Sequence, residues 1–232
     1  MTARWDKLKI EGKEVRCYTG VPDHARPRAG VVIAHHGPGM DEAMVDVVHR
    51  LNRAGYAAAL PDLFHRFPPG VDMMEKIKHL RDEHLIADMN AALTHLKSLS
   101  PAIGPFGVTG FCMGGRVTYL MACANREFKA AAVFYGGAIL RQWGDSPAPF
   151  ERSADISCPV LGFFGAEDTN PSPEDVAAID AELTRLGKWH EFHTYRNAGH
   201  AFMNFRSAER YRHRAAQSAW PQAIAFFDEY LN

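Results

Sequence analysis

Gly110-Phe111-Cys112-Met113-Gly114-Gly115 is the stretch that decides how this chain is read. Its spacing is glycine, any residue, nucleophile, any residue, glycine, with cysteine at the centre. Phe106-Gly107-Val108-Thr109 before it is short, apolar and β-prone, and Arg116 to Ala124 after it is rich in helix formers. The context is therefore strand, tight turn, helix. Glycines at 110 and 114 remove the Cβ atoms that would clash where such a strand and helix meet. The N–H of Met113 falls at the helix start, where amides are unpaired and the dipole is positive, so it favours both a thiolate and a developing oxyanion. A buried, inert cysteine is the competing reading, since free cysteine is among the most buried residue types.

The rest of the chain decides between the two. Pro159 to Phe164 reads as a fully buried strand and ends in Gly165-Ala166-Glu167-Asp168; His190 to Arg196 reads as another and leads into Asn197-Ala198-Gly199-His200-Ala201-Phe202. Cys112, Asp168 and His200 thus follow three strand ends in the order nucleophile, acid, histidine, the chain order of α/β-hydrolases. Glu167 and Asp175 compete for the acid role, but Asp175 falls in the first turn of the helix expected over 173–187, where a carboxylate suits the dipole. Asp62 reads as a structural loop residue and His35 as a hydrogen-bonded loop anchor. No metal and no cofactor are expected: His190 and His193, three apart on a strand, face opposite sides, and no His-Glu-x-x-His pattern occurs.

Trp5–Ile10 and Val15–Thr19 read as a hairpin, followed by strands at 30–34, 56–60, 106–110, 130–135, 159–164 and 190–196. Helices are expected at 41–54, across 73–99, and near 113–125, 173–187 and 208–230. This alternation predicts an α/β fold, a mostly parallel sheet of about seven or eight strands with helices on both faces, forming a single domain over residues 1–232. Ligands in such sheets bind outside the strand carboxyl ends, where the candidate residues lie. With 47% hydrophobic residues, 232 residues suffice for one substantial core. A formal net charge of −1 with no basic cluster argues against nucleic acid or an anionic membrane as partner. The absence of an apolar leader in Met1–Val15 predicts a cytoplasmic protein, with Cys17, Cys112, Cys123 and Cys158 reduced. Nothing in the pattern indicates an oligomeric state.

His35-His36-Gly37-Pro38-Gly39, Pro61-Asp62-Leu63, the cysteine motif, Tyr135-Gly136-Gly137, Gly165-Ala166-Glu167-Asp168 and Gly199-His200-Ala201-Phe202 together resemble the dienelactone hydrolase family, over nearly the whole chain. The resemblance implies an α/β-hydrolase fold, a Cys112-Asp168-His200 triad, and an oxyanion hole formed by the amides of Met113 and Gly37. It also implies a small ester or lactone substrate, hydrolysed through an acyl-thioester. Best-studied members open dienelactones; others resemble general esterases or act on activated phosphotriesters. A noncatalytic small-ligand receptor on this scaffold is a further alternative, whereas a redox thiol would want a resolving cysteine in a motif.

Two positions depart from the lactone-opening pattern. His36 stands where those members have a glutamate that helps control the cysteine proton, and its side chain is expected to point at the thiol and tune it. Asn204 stands where they have an arginine for the substrate carboxylate; Arg206 is near in a different register, and Arg81 is the candidate substitute. Phe202, Met73 and Trp143 are among the candidate pocket residues, and Trp143–Phe150 is the candidate lid.

Overall fold

The computed structural model describes residues 2–23 and 29–231. Strands β1 (Thr2–Ile10) and β2 (Lys13–Val21) form an antiparallel hairpin about Glu11-Gly12, both at positive φ, the conformation that tight hairpin turns require. Six more strands follow: β3 (Gly30–Ala34), β4 (Ala57–Pro61), β5 (Phe106–Phe111), β6 (Phe128–Phe134), β7 (Val160–Gly165) and β8 (His190–Tyr195). All eight join one sheet in the order β1-β2-β4-β3-β5-β6-β7-β8, antiparallel up to β4 and parallel thereafter. This is the α/β-hydrolase arrangement expected from the sequence.

Helices α1 (Glu42–Arg53), α2 (Met73–Lys78), α3 (Asp82–Leu99), α4 (Met113–Ala124), α5 (Pro173–Arg185) and α6 (His213–Tyr230) connect and flank the strands. Alternate residues of the central strands feed two cores. Val32 and Val108 pack with Leu85, Val117, Leu120 and Leu183 beneath α3, α4 and α5; Val31, Ile33 and Phe134 pack with Val48, Leu51 and Phe227 beneath α1 and α6. Burial on both faces explains why these strands read as continuous apolar runs. Asp41 caps α1 through Met44 N–H, and Ser172 with Asp175 forms the capping box of α5, so Asp175 serves the helix. The last helix begins at His213, not near 208. Residues 201–211 are successive turns in which Asn204 Oδ1 accepts from Arg206 N–H and the Ser207 carbonyl accepts from Tyr211 N–H, local bonds that compete with helix formation. No helix among the described residues is long and apolar enough to cross a membrane.

The β5–α4 junction is the tightest point of the fold. Cys112 sits at φ 58°, ψ −120°, a region costly for a residue with a Cβ. A Cβ on Gly110 would lie 2.2 Å from the Gly114 carbonyl oxygen, and one on Gly114 would lie 2.1 Å from that of Ala34. The first turn of α4 therefore rests directly on the ends of β5 and β3. Gly114→Ala must push that turn off β3; we expect it to destabilise the protein by about 1–3 kcal/mol or more, read from the urea midpoint, and to abolish Cys112 reactivity even in the fraction that folds.

Candidate active site

Three loops at the carboxyl ends of β5, β7 and β8 bring Cys112, Asp168 and His200 together. His200 Nε2 lies 2.8 Å from Cys112 Sγ, and His200 Nδ1 lies 2.9 Å from Asp168 Oδ2. Asp168 is buried, and its other oxygen accepts from Asn170 N–H at 2.9 Å. With a carboxylate at Nδ1, the proton on that nitrogen is fixed and Nε2 is left to face sulfur. The Tyr135 ring meets the imidazole edge-on at 5.3 Å between centroids, which limits ring rotation. The amides of Met113 and Gly37 both hydrogen-bond the sulfur.

These contacts set the protonation states. Burial raises the Cys112 pKa, but His200 and the two amides outweigh it and hold the thiol below its ordinary value. Burial likewise opposes charge on His200, yet Asp168 and Cys112 raise its pKa to about 10. Both shifts favour the charged forms, a thiolate facing an imidazolium. Cys17, Cys123 and Cys158 have no histidine partner, and burial pushes them up to about 12, in Cys17 despite hydrogen bonds from Thr19 and the Leu60 backbone.

His35 fixes the loop that carries the Gly37 amide. Its ring is fully buried: Nδ1–H donates to the His36 carbonyl at 2.7 Å, and Nε2 accepts from Leu63 N–H at 3.1 Å. The carbonyl it holds belongs to the same peptide unit as the Gly37 N–H. In a trans peptide the two groups point oppositely, so anchoring the carbonyl aims the amide at the sulfur. Burial lowers the His35 pKa to about 4, which keeps Nε2 free to accept.

In front of Cys112 is a cleft of about 430 Å³. Met73, Met74 and Ile77 of α2 form its roof, Trp143 and Ala138 a side wall, and Lys78, Arg141 and Arg210 bring positive charge to its lining. Neither Arg141 nor Arg210 makes an ion pair among the described residues.

Several expected contacts do not form. The His36 ring lies on the α1 side, Nε2 3.0 Å from Asp41 Oδ2; because the 36–37 peptide turns its N–H toward the sulfur, the side chain at 36 is directed away from it. Arg81 pairs with Glu83 and Asp145 and borders a separate pocket with Arg66 and His84. Phe202 is fully buried between Tyr135 and Tyr195, and Asn204 closes the turn at Arg206, so neither lines the cleft. Over Cys112 the roof is α2; the Trp143–Phe150 segment is instead tied down, with Phe150 N–H on the Ile139 carbonyl and a 3-10 helix over Pro149–Asp155. Sequence reasoning missed Lys78, Asn170, Arg141 and Arg210. The arginines sit in turns without periodicity, and only the turn chemistry of Asp168-Thr169-Asn170-Pro171 hints at Asn170.

Compared with known proteins, residues 15–231 match the dienelactone hydrolase family. The chain belongs to that family. Relatives named "Putative carboxymethylenebutenolidase" include one from Methylorubrum extorquens, 29% identical over 97% of this chain and 80% of the relative. Another, from Escherichia coli, is 28% identical over 99% of this chain and 88% of the relative. The solved structure called a "Putative Dienelactone Hydrolase" from Klebsiella pneumoniae superposes with a TM-score of 0.88 at 28% identity, covering 99% of both chains. The dienelactone hydrolase-like promiscuous phosphotriesterase P91 from metagenomic libraries shares the fold, with a TM-score of 0.86 at 21% identity over 100% of this chain and 99% of its own. For this dienelactone hydrolase family member the shared fold and hydrolase class are established, and the chemistry follows from its own residues.

Two pH dependences follow. The rate of Cys112 alkylation by iodoacetamide should titrate below the ordinary thiol value of about 8.5, and His200→Gln should move that midpoint upward, with burial then unopposed; mass spectrometry should find the other three cysteines unlabelled. His35 gives a stability effect. Its folded pKa lies below the ordinary 6.5, so the unfolded chain takes up a proton first as the pH falls. The stabilisation is complete above about pH 6.5 and declines toward pH 4, by on the order of 3 kcal/mol. His35→Gln should flatten that part of the urea-stability profile between pH 7 and 4.5.

Proposed function

We propose that the protein is a cysteine-dependent hydrolase of small esters or lactones, working through Cys112, His200 and Asp168. The observation that carries this is the position of one sulfur, 2.8 Å from a histidine ring nitrogen that a carboxylate orients, with two backbone amides directed at it. The Cys112 thiolate attacks the carbonyl carbon, and the π pair moves to oxygen, where the amides of Met113 and Gly37 receive the developing charge. Collapse expels the leaving oxygen, which takes its proton from His200, leaving an acyl-thioester. Neutral His200 then removes a proton from water; the resulting hydroxide adds to the thioester, and the second collapse returns the thiolate. Asp168 holds the ring orientation and stabilises the imidazolium. From a lactone the leaving alkoxide stays tethered, and the product is one open hydroxy acid or its keto tautomer.

The cleft favours substrates with an apolar body and an anionic end. Met73, Met74, Ile77 and Trp143 receive the former, while Lys78, Arg141 and Arg210 replace the cation that Asn204 and Arg81 do not supply. A thiolate is a better leaving group than an alkoxide, so esters with acidic alcohols, aryl or enol, suit the site better than amides.

The test compares 4-nitrophenyl acetate with a cis-dienelactone. Cys112→Ala should reduce kcat/KM for both by at least about 10⁴-fold, and the wild type should show an acyl adduct on Cys112 in intact-mass spectra. Arg141→Ala and Arg210→Ala should each raise KM for the anionic lactone by about 5–10-fold and leave the neutral ester within twofold. If wild type and Cys112→Ala are equally inert while ligands still raise the melting temperature, the protein is a receptor and the hydrolase reading falls.

A further inference from the structure

Among the described residues, the largest fully buried side chain is that of an arginine. Arg116, in the first turns of α4, has no solvent exposure. Its Nη1 donates to Asp82 Oδ1 at 2.5 Å and Nη2 to Asp82 Oδ2 at 3.0 Å, a bidentate pair with both partners fully buried. Two further donors reach other groups: Nε the Ala138 carbonyl and Nη2 also the Arg141 carbonyl, each at 2.9 Å. The guanidinium carbon lies 3.9 Å from the centre of the Trp143 ring, and the Asp82 N–H donates to the Trp143 carbonyl at 3.4 Å.

Every one of these secondary contacts falls on residues 138–143, the side wall of the cleft that presents Ala138, Arg141 and Trp143. The wall has no regular secondary structure of its own, and Ala138 is at φ 60°, a conformation held only where its surroundings impose it. From the opposite side Asn170 Oδ1 accepts from Ala138 N–H at 3.1 Å, while Asn170 N–H donates to Asp168. A continuous set of hydrogen bonds thus runs from the candidate triad acid, through the wall, to Arg116 and α3.

Stability does not account for this pair. Burial raises the Asp82 pKa and lowers that of Arg116 despite their mutual attraction, each toward its neutral form. Buried pairs of this kind are often no better for stability than apolar residues of the same volume. The guanidinium instead offers a planar fork whose geometry dictates where two carbonyls and one ring must sit.

We propose that Arg116 and Asp82 are positioning residues for substrate selection: their ion pair holds the 138–143 wall so that Arg141 and Trp143 face the ligand in front of Cys112. The assignment rests on the hydrolase reading above but reports on binding, not on the thiol. It therefore separates two kinds of substrate, those that reach the wall and those that do not.

The test uses 4-nitrophenyl acetate, which is short and neutral, and mono-4-nitrophenyl glutarate, whose acyl chain carries a carboxylate. In Asp82→Asn, KM for the glutarate ester should rise about tenfold with kcat nearly unchanged, and both constants for the acetate should stay within twofold. The pH midpoint of Cys112 alkylation should not move, and amide hydrogen exchange should quicken in 138–143 but not in 110–115. Arg116→Lys, which keeps a cation beside Asp82 but loses the fork that reaches the Ala138 and Arg141 carbonyls, should give the same KM split in smaller measure and carries the test if Asp82→Asn does not fold. Equal losses on both esters, with a shifted alkylation midpoint, would mean the pair merely supports α4 and would overturn the assignment. So would unchanged kinetics for both. If the wild type hydrolyses neither ester, the hydrolase reading fails by itself, and the exchange of 138–143 still judges whether the pair holds the wall.

Discussion

The contact of α4 with the end of β3 is the constraint on which the site depends. Gly114 lies so close to the Ala34 carbonyl that any side chain there would overlap it. That closeness puts the first free amide of α4 beside the peptide that follows β3. One sulfur can then meet the N–H of Met113 from its own helix and the N–H of Gly37 from the turn after β3. The strained backbone at Cys112 is the cost of the same geometry, held by the Cys112 N–H on the Phe134 carbonyl and by the packed strands around it. His35 completes the arrangement from behind by holding the far end of the Gly37 peptide.

Two buried charge pairs serve different ends in this fold. In the His200–Cys112 pair, attraction and hydrogen bonding outweigh burial and shift both groups toward their ionised forms. In the Arg116–Asp82 pair, burial has the larger effect on both partners. The difference follows from surroundings. Sulfur has two further amides and imidazole has Asp168, so each charge in the first pair meets several partners. Asp82 receives its side-chain hydrogen bonds from Arg116 alone among the described residues, whereas Arg116 gives two further donors to carbonyls.

The sheet and the positions of Cys112, Asp168 and His200 were legible because each rests on a strong local signal, an apolar run of strand length ending in turn chemistry. Strand ends in a parallel sheet converge, so residues placed just past them come together without further information. Side-chain direction in the loops was not legible. Whether His36 faces the thiol depends on the rotation of one peptide, which its neighbour His35 sets while itself held by the distant Leu63 N–H. Phe202 lies two residues from His200 and yet points into the core, because the loop turns between them. The roof escaped notice for another reason: α2 has six residues and none of them is buried, so it carries no periodic apolar face. Arg141 and Arg210 reach the cleft from irregular backbone, where spacing says nothing about direction.

The cleft also has two owners along the chain. Its roof and the Gly37 amide come from residues before 80, whereas sulfur, imidazole, carboxylate and the Trp143 wall all come from residues after 110. The connection that carries the roof, from Asp62 to Arg81, enters no strand and packs α2 over Gly37, where a Cβ would lie 3.0 Å from Met73 Sδ and 3.3 Å from Ile77 Cδ1. Such a segment is an exchangeable cassette. Changes in its length or in its methionines would reshape the cleft while Cys112, His200 and Asp168, carried elsewhere, keep their spacing. A scaffold divided in this way can diversify by swapping one connection, and its descendants would share the same reacting atoms beneath different ceilings.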